Sequence, residues 1–172
     1  MRIILYILIL SFLISCHSNK QYHNPNILIN ASLIRSYDSI VYWDTLMHKT
    51  FDVKISMINK SDKPVSFWIM TSSWFDNFLI NNDYMHYISG PINHNFPVTR
   101  HLNPNDSFVY KVSIAKQDYT MYQTIQTTKF GFIYIDSISC QGFNNTFESI
   151  IGDKSQHDKI FWSNPLYLNE MK

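Results

Sequence analysis

Charge is scarce in this chain. Only 16% of the residues are charged, and fourteen Lys and Arg against thirteen Asp and Glu leave a formal net charge of +1. Nucleic-acid affinity rests on clustered cations, so no nucleic-acid partner is expected. With 45% hydrophobic residues the chain has too much apolar matter to stay disordered. Its 172 residues suit one domain, large enough to fold with neither a metal nor a disulfide staple. Cysteine is nearly missing: Cys16 and Cys140 are the only two. Glutamate also occurs only twice, at Glu148 and Glu170, and no aspartate pair is marked out to replace it in glycosidase-like chemistry. The motifs G-x-S-x-G, P-loop, H-E-x-x-H, C-x-x-C and the dinucleotide fingerprint are absent, so no enzyme and no cofactor is expected. Among the seven histidines, His86, His94 and His101 stand at gaps of eight and seven. A metal pair wants i, i+2 on a strand or i, i+4 on a helix, so no metal site is expected.

Membrane-length apolar runs are lacking as well, but a shorter one opens the chain. IILYILILSFLI, residues 3–14, follows Met1-Arg2 and carries no charge. In a helix it spans about 18 Å, short of a ~30 Å hydrocarbon core, and it fits the apolar segment of a secretory signal. Directly behind it, Leu13-Ile14-Ser15-Cys16 resembles a bacterial lipobox, with Ile14 less typical at its position than Ala, Ser or Thr. The resemblance implies cleavage before Cys16, a thioether-linked diacylglycerol on its sulfur and acylation of the new N-terminus. An ordinary signal peptide with an incidental cysteine is the other reading, though no small-x-small site stands nearby. Each buried CH₂ adds ~0.8 kcal/mol, so two or three acyl chains anchor durably where one does not. Residues 17–26, HSNKQYHNPN, form a polar tether reaching about 17 Å as a coil. By the same resemblance, His17 stands where Asp signals inner-membrane retention, and residues 18–21 lack the acids of surface-exposed lipoproteins. This implies the outer membrane, facing the periplasm.

Past residue 26 the dominant period is two. FDVKISMIN (51–59) and FVYKVSI (108–114) alternate apolar with polar residues, as half-buried antiparallel strands do. Strand-like runs also lie near 27–34, 39–43, 64–71, 78–80, 84–88, 129–138 and 159–168, and FGFIYI (130–135) reads as a central strand covered on both faces. Asn59–Pro64 and Asn103–Asp106 read as side-chain-closed turns. No stretch offers ten residues of helical period, except weakly around 74–82. Short strands punctuated by turns predict a β-sandwich or barrel. The segments INKSDKPVSFWIMTSSW (58–74), INHNFPVTRHLNPNDSFVYKVSI (92–114), KFGFIYI (129–135) and IFWSNPLYL (160–168) resemble uncharacterised Bacteroidota lipoproteins. That likeness covers most of residues 50–168 and implies an all-β, antiparallel immunoglobulin-like β-sandwich of about seven to nine strands. The paired core cysteines of antibody domains are missing, so the kinship is architectural and carries no function. The expected organisation is signal peptide 1–15, lipidated Cys16 and tether 16–26, and sandwich domain 27–172.

If Cys16 carries lipid, Cys140 has no intramolecular partner. It is then either a buried structural thiol or a site of intermolecular pairing or reactivity. The aromatics divide in the same way, between core packing and ligand contact. Trp74, Tyr84 and Tyr87, in the irregular region 72–95, are the candidates for stacking on a glycan or anchoring a protein partner. Asp38-Ser39-Ile40, Asp44-Thr45-Leu46 and Asp136-Ser137-Ile138 resemble the Bacteroidota O-glycosylation pattern, making Ser39, Thr45 and Ser137 candidate acceptors. The resulting expectation is a lipid-anchored envelope module that binds or supports. The alternative is a surface module capturing glycan or another ligand through exposed aromatics.

Overall fold

The computed structural model describes residues 25–41, 45–89, 95–116, 127–136 and 142–168. Cys16, Trp43, His94, Tyr119, Tyr122, Ser137 and Cys140 lie outside them, as do the signal segment and the tether as far as residue 24.

Nine strands among the described residues form the framework, and every ladder is antiparallel. Alternation is the cause. In β2 (Met47–Asn59), Phe51, Val53, Ile55 and Met57 are buried while Lys54 faces solvent. In β7 (Ser107–Lys116), Val112 and Ile114 join the core, Phe108 and Tyr110 pack against it, and Lys111 is exposed. β1 (Ile27–Ile40) contributes Ile27, Ile29 and Ala31, then shifts register between Leu33 and Arg35. This bulge reverses the phase of the strand, which is why the sequence reads as two separate runs there. With the short β5 (Met85–Tyr87), these strands make one sheet in the order β1-β2-β7-β5.

The facing layer holds β3 (Val65–Met70) paired with β6 (Pro97–Leu102), and β8 (Phe130–Ile133) flanked by β4 (Phe78–Ile80) and β9 (Ile160–Trp162). The Trp68 amide donates to the Ile135 carbonyl at 2.8 Å, which links β3 to the chain just past β8. Between β3 and β4 the chain steps out into a 3₁₀ turn, Trp74–Asn77, the one helical feature in the weak period around 74–82. Strand β6 is absent from the alternating runs of the sequence.

Both layers supply one core, in which Phe67 meets Phe132 edge-on at 5.3 Å. Phe130 and Phe132 face that core. Ile133 and Ile135 belong to a second cluster, covered by Phe143 and Ile150 of α1 (Phe143–Gly152). β8 is therefore covered on both faces, as its unbroken apolar run predicts. The helix itself corrects the expectation of no helix outside 74–82. Its sequence, FNNTFESIIG, is rich in weak helix formers, and its start at Gly142 has no side-chain cap. Tertiary burial of Phe143 and Ile150 holds it instead.

Candidate functional site

Aromatic side chains from three elements gather at one flank of the two layers. Trp74 and Phe75 stand on the 3₁₀ turn, Phe108 and Tyr110 on β7, and Tyr87 on β5. Two asparagines fix the turn. Asn95 Oδ1 accepts from the Ser72 and Ser73 amides at 3.2 and 3.1 Å, and its Nδ2 donates to the buried Ser73 hydroxyl at 2.6 Å. Asn77, fully buried, accepts from the Met70 amide at 3.3 Å and donates to the Trp68 carbonyl at 3.2 Å. Trp74, held this way, stacks on Tyr110 with ring centroids 4.5 Å apart and planes 26° from parallel. Phe75 and Phe78 meet Trp74 edge-on, each at 5.8 Å. Offset stacks and edge contacts are the arrangements that ring quadrupoles favour, so the platform is rigid.

Burial pushes the Tyr110 hydroxyl up to about 12, against a smaller opposing pull from Arg100. Burial, reinforced by the Asp76 carboxylate, pushes the Tyr87 hydroxyl far above the usual phenol range, and this hydroxyl donates to the Phe78 carbonyl at 3.1 Å. Both phenols are therefore neutral near pH 7 and keep a proton to donate. Arg100 lies on the same face of β6 as Val98 and Leu102, opposite Phe67 of β3, yet it remains exposed. No described residue forms an ion pair or hydrogen bond with the Arg100 guanidinium. The Tyr110 hydroxyl and the Trp74 indole N–H likewise find no hydrogen-bond partner among the described residues. An apolar platform with unpartnered donors can receive a ligand bearing a hydrogen-bond acceptor.

The candidate residues of the sequence fall in different places. Trp74 and Tyr87 are half-buried against the core, and both touch Phe75, with Tyr87 at 5.5 Å. Tyr84 is 40% exposed in the turn before β5, where its amide donates to Asn82 Oδ1 at 3.1 Å. It makes no ring contact with Trp74 or Tyr87 among the described residues, so the three do not converge. The Ser39 hydroxyl lies 2.7 Å from Thr50 Oγ1, while Thr45 is exposed beside the β1–β2 connection. Asn95 and Arg100 carried no signal of function in the sequence, and Tyr110 stood out only as one of many aromatics. Alternation placed Tyr110 on a buried face, and nothing marked β6 as a strand. Among the described residues no three His, Cys, Asp or Glu side chains gather, and no helix is long and apolar enough to cross a membrane. No family model, curated protein or solved structure matches the chain.

Proposed function

We propose that the chain is a lipid-anchored, non-catalytic binding or structural module of the bacterial cell envelope, of the Bacteroidota lipoprotein kind. In this reading it sits in the outer membrane and faces the periplasm on an immunoglobulin-like sandwich. The observation that carries this is the apolar run 3–14 ending directly on Leu13-Ile14-Ser15-Cys16. The strand order supports the finer fold. β1-β2-β7-β5 runs as strands A-B-E-D of an immunoglobulin domain do, and β8 lies between β4 and β9 as strand F lies between C and G. β3, bonded through the Trp68 amide to the chain just past β8, continues the C-like line of β4; β6 pairs with β3 but follows β5 in the chain, a departure from the usual order of C′ before D. The geometry also suits the tether. β1 starts at Ile27, next to the turns at Asn59–Lys60 and Asn103–Asp106. This end would face the bilayer, and the fourteen-residue strand carries the β1–β2 connection about 45 Å away from it.

Fatty-acid labelling of the wild type and of Cys16→Ser tests the anchor. Label on the wild type and none on the variant is expected, and label persisting on Cys16→Ser overturns the assignment. Protease treatment of intact cells separates the two orientations: protection fits the periplasmic face, and loss of the domain fits a surface module that captures ligand through its aromatics. An intact mass equal to polypeptide plus lipid would dismiss glycosylation at Ser39, Thr45 and Ser137.

A further inference from the structure

We infer that the open edge of β6 takes up an extended acidic segment of a partner protein as an added strand, with Arg100 receiving its carboxylate. This deepens the binding-module reading and rests on it.

The backbone supplies the first part of the argument. The Thr71 amide donates to the Phe96 carbonyl at 3.0 Å, and the Phe96 amide donates to Thr71 Oγ1 at 3.2 Å. Alternation along an antiparallel pair then turns the amide groups of Val98, Arg100 and Leu102 toward β3 and those of Thr99 and His101 away from it. Trp68, opposite Thr99, agrees: its amide is given to Ile135 on the other side and not to β6. The N–H and C=O groups of Thr99 and His101 have no partner among the described residues, and among those residues β6 is an edge of the kind that takes an added strand.

The side chains define the partner. Successive residues on one face of a strand stand two apart. Phe96, Val98, Arg100 and Leu102 therefore share the face that looks toward the other layer, with Leu102 buried and Phe96 55% exposed. A sandwich core would use an apolar residue at position 100. The chain has instead Arg100, a cation with no acidic partner among the described residues. A strand laid on this edge would bring an acidic side chain beside Arg100 and, two residues along, an apolar one beside Phe96 or Val98. Inward-pointing charges also guard edges against unwanted pairing. Guard and receptor predict different behaviour when the charge is removed.

The test uses the purified full-length protein in detergent, whether or not it carries lipid, so it is independent of where the protein sits in the cell. If the anchor assignment fails, peptide binding can still be scored, and the reverse holds. A synthetic array of alternating Thr/Val heptapeptides, varied at the centre among Glu, Asp, Gln, Asn, Lys and Val, is titrated against wild type and Arg100→Gln. Acid-centred peptides are expected to bind at least tenfold tighter than their amide counterparts. That preference should vanish in Arg100→Gln, and N-methylation of a pairing amide should abolish binding. Several results overturn the inference: no peptide binding, no preference for an acid, or a preference that survives in Arg100→Gln. So does self-association of Arg100→Gln without any peptide effect, which identifies a guard. Oligogalacturonate binding through Arg100 in place of the peptide assigns the site to a glycan and also overturns it.

Discussion

Asp52, on the outer face of β2, accepts from Ser113 Oγ at 2.6 Å, Arg35 Nε at 2.6 Å and the Tyr37 hydroxyl at 3.1 Å. Desolvation by itself would raise this carboxyl. The bonds from Ser113, Arg35 and Tyr37, together with the Arg35 charge, outweigh it and hold the group below the usual carboxylate range. A value lower in the folded than in the unfolded chain stabilises the fold above the unfolded value of about 4. That stability is lost as the pH falls through the folded value. Asp52→Asn should therefore cost about 1 kcal/mol at neutral pH. The difference from wild type should shrink in thermal melts below about pH 4; a gap independent of pH would show that charge plays no part. Asn59 is a weightier case. Its buried Nδ2 donates to the Lys63 and Leu102 carbonyls at 2.8 and 2.9 Å, and its Oδ1 accepts from the Ser61 amide at 2.9 Å. Its own carbonyl accepts from the Asn105 amide at 2.8 Å, and Asn105 is left-handed at φ 63°. One side chain thus closes its own turn and ties it to the end of β6. Asn59→Ala strands buried carbonyls and should cost about 3 kcal/mol by denaturant unfolding. At Asn105, Gly should be tolerated and Val should not, because a β-branched residue resists positive φ.

β8 shows how a strand can depend on a missing side chain. A Cβ on Gly131 would stand 2.9 Å from Ile160 Cγ2 and from two carbons of the Trp162 ring. The ring lies over the glycine across the β8–β9 ladder, where the two residues are paired. Gly131→Ala should cost about 1–3 kcal/mol through overpacking. The cost should fall in a Trp162→Ala background, and an equal cost in both backgrounds would rule out the ring as its cause. Elements with strict alternation, β2 and β7 above all, were legible in the sequence because one face of each is buried. So was β8, whose run is apolar on both faces. The side-chain-closed turn at Asn59 was legible for the same local reason. Elements that depend on distant residues were not. β6 hides because its inward row contains Arg100, so no apolar alternation survives there. The helix 143–152 hides because its anchors, Phe143 and Ile150, acquire meaning only once Ile133 and Ile135 are in place. Of the candidate site, Trp74 was visible as a residue type. Its stacking partner Tyr110 looked like any buried alternating position, and Asn95, which helps to aim the turn, lies 22 residues from the Ser73 it holds.

At the scale of the molecule, the two apolar clusters lie on opposite faces of β8 and of its neighbours β3, β4 and β9. Phe130 and Phe132 fill the core between the layers, while Ile133 and the following Ile135 pack under the helix. The helix layer has no strand of its own to rest on, so losing it uncovers the back of β8, and losing the sheets removes its support. Folding is therefore expected to be a single cooperative transition, as single domains of this size usually show. Phe132→Ala, fully buried in the first cluster, should cost about 3–5 kcal/mol, and Ile150→Ala, in the second, about 2–5 kcal/mol. Both should move the whole transition, with far-ultraviolet signal and aromatic near-ultraviolet signal melting together. If Ile150→Ala splits the melt, with helical signal lost first and the aromatic signal unmoved, the helix is a separable cover and β8 does not join the two cores. Coincident melts in both variants would establish that the helix and the strands around Trp74 and Tyr110 unfold as one unit.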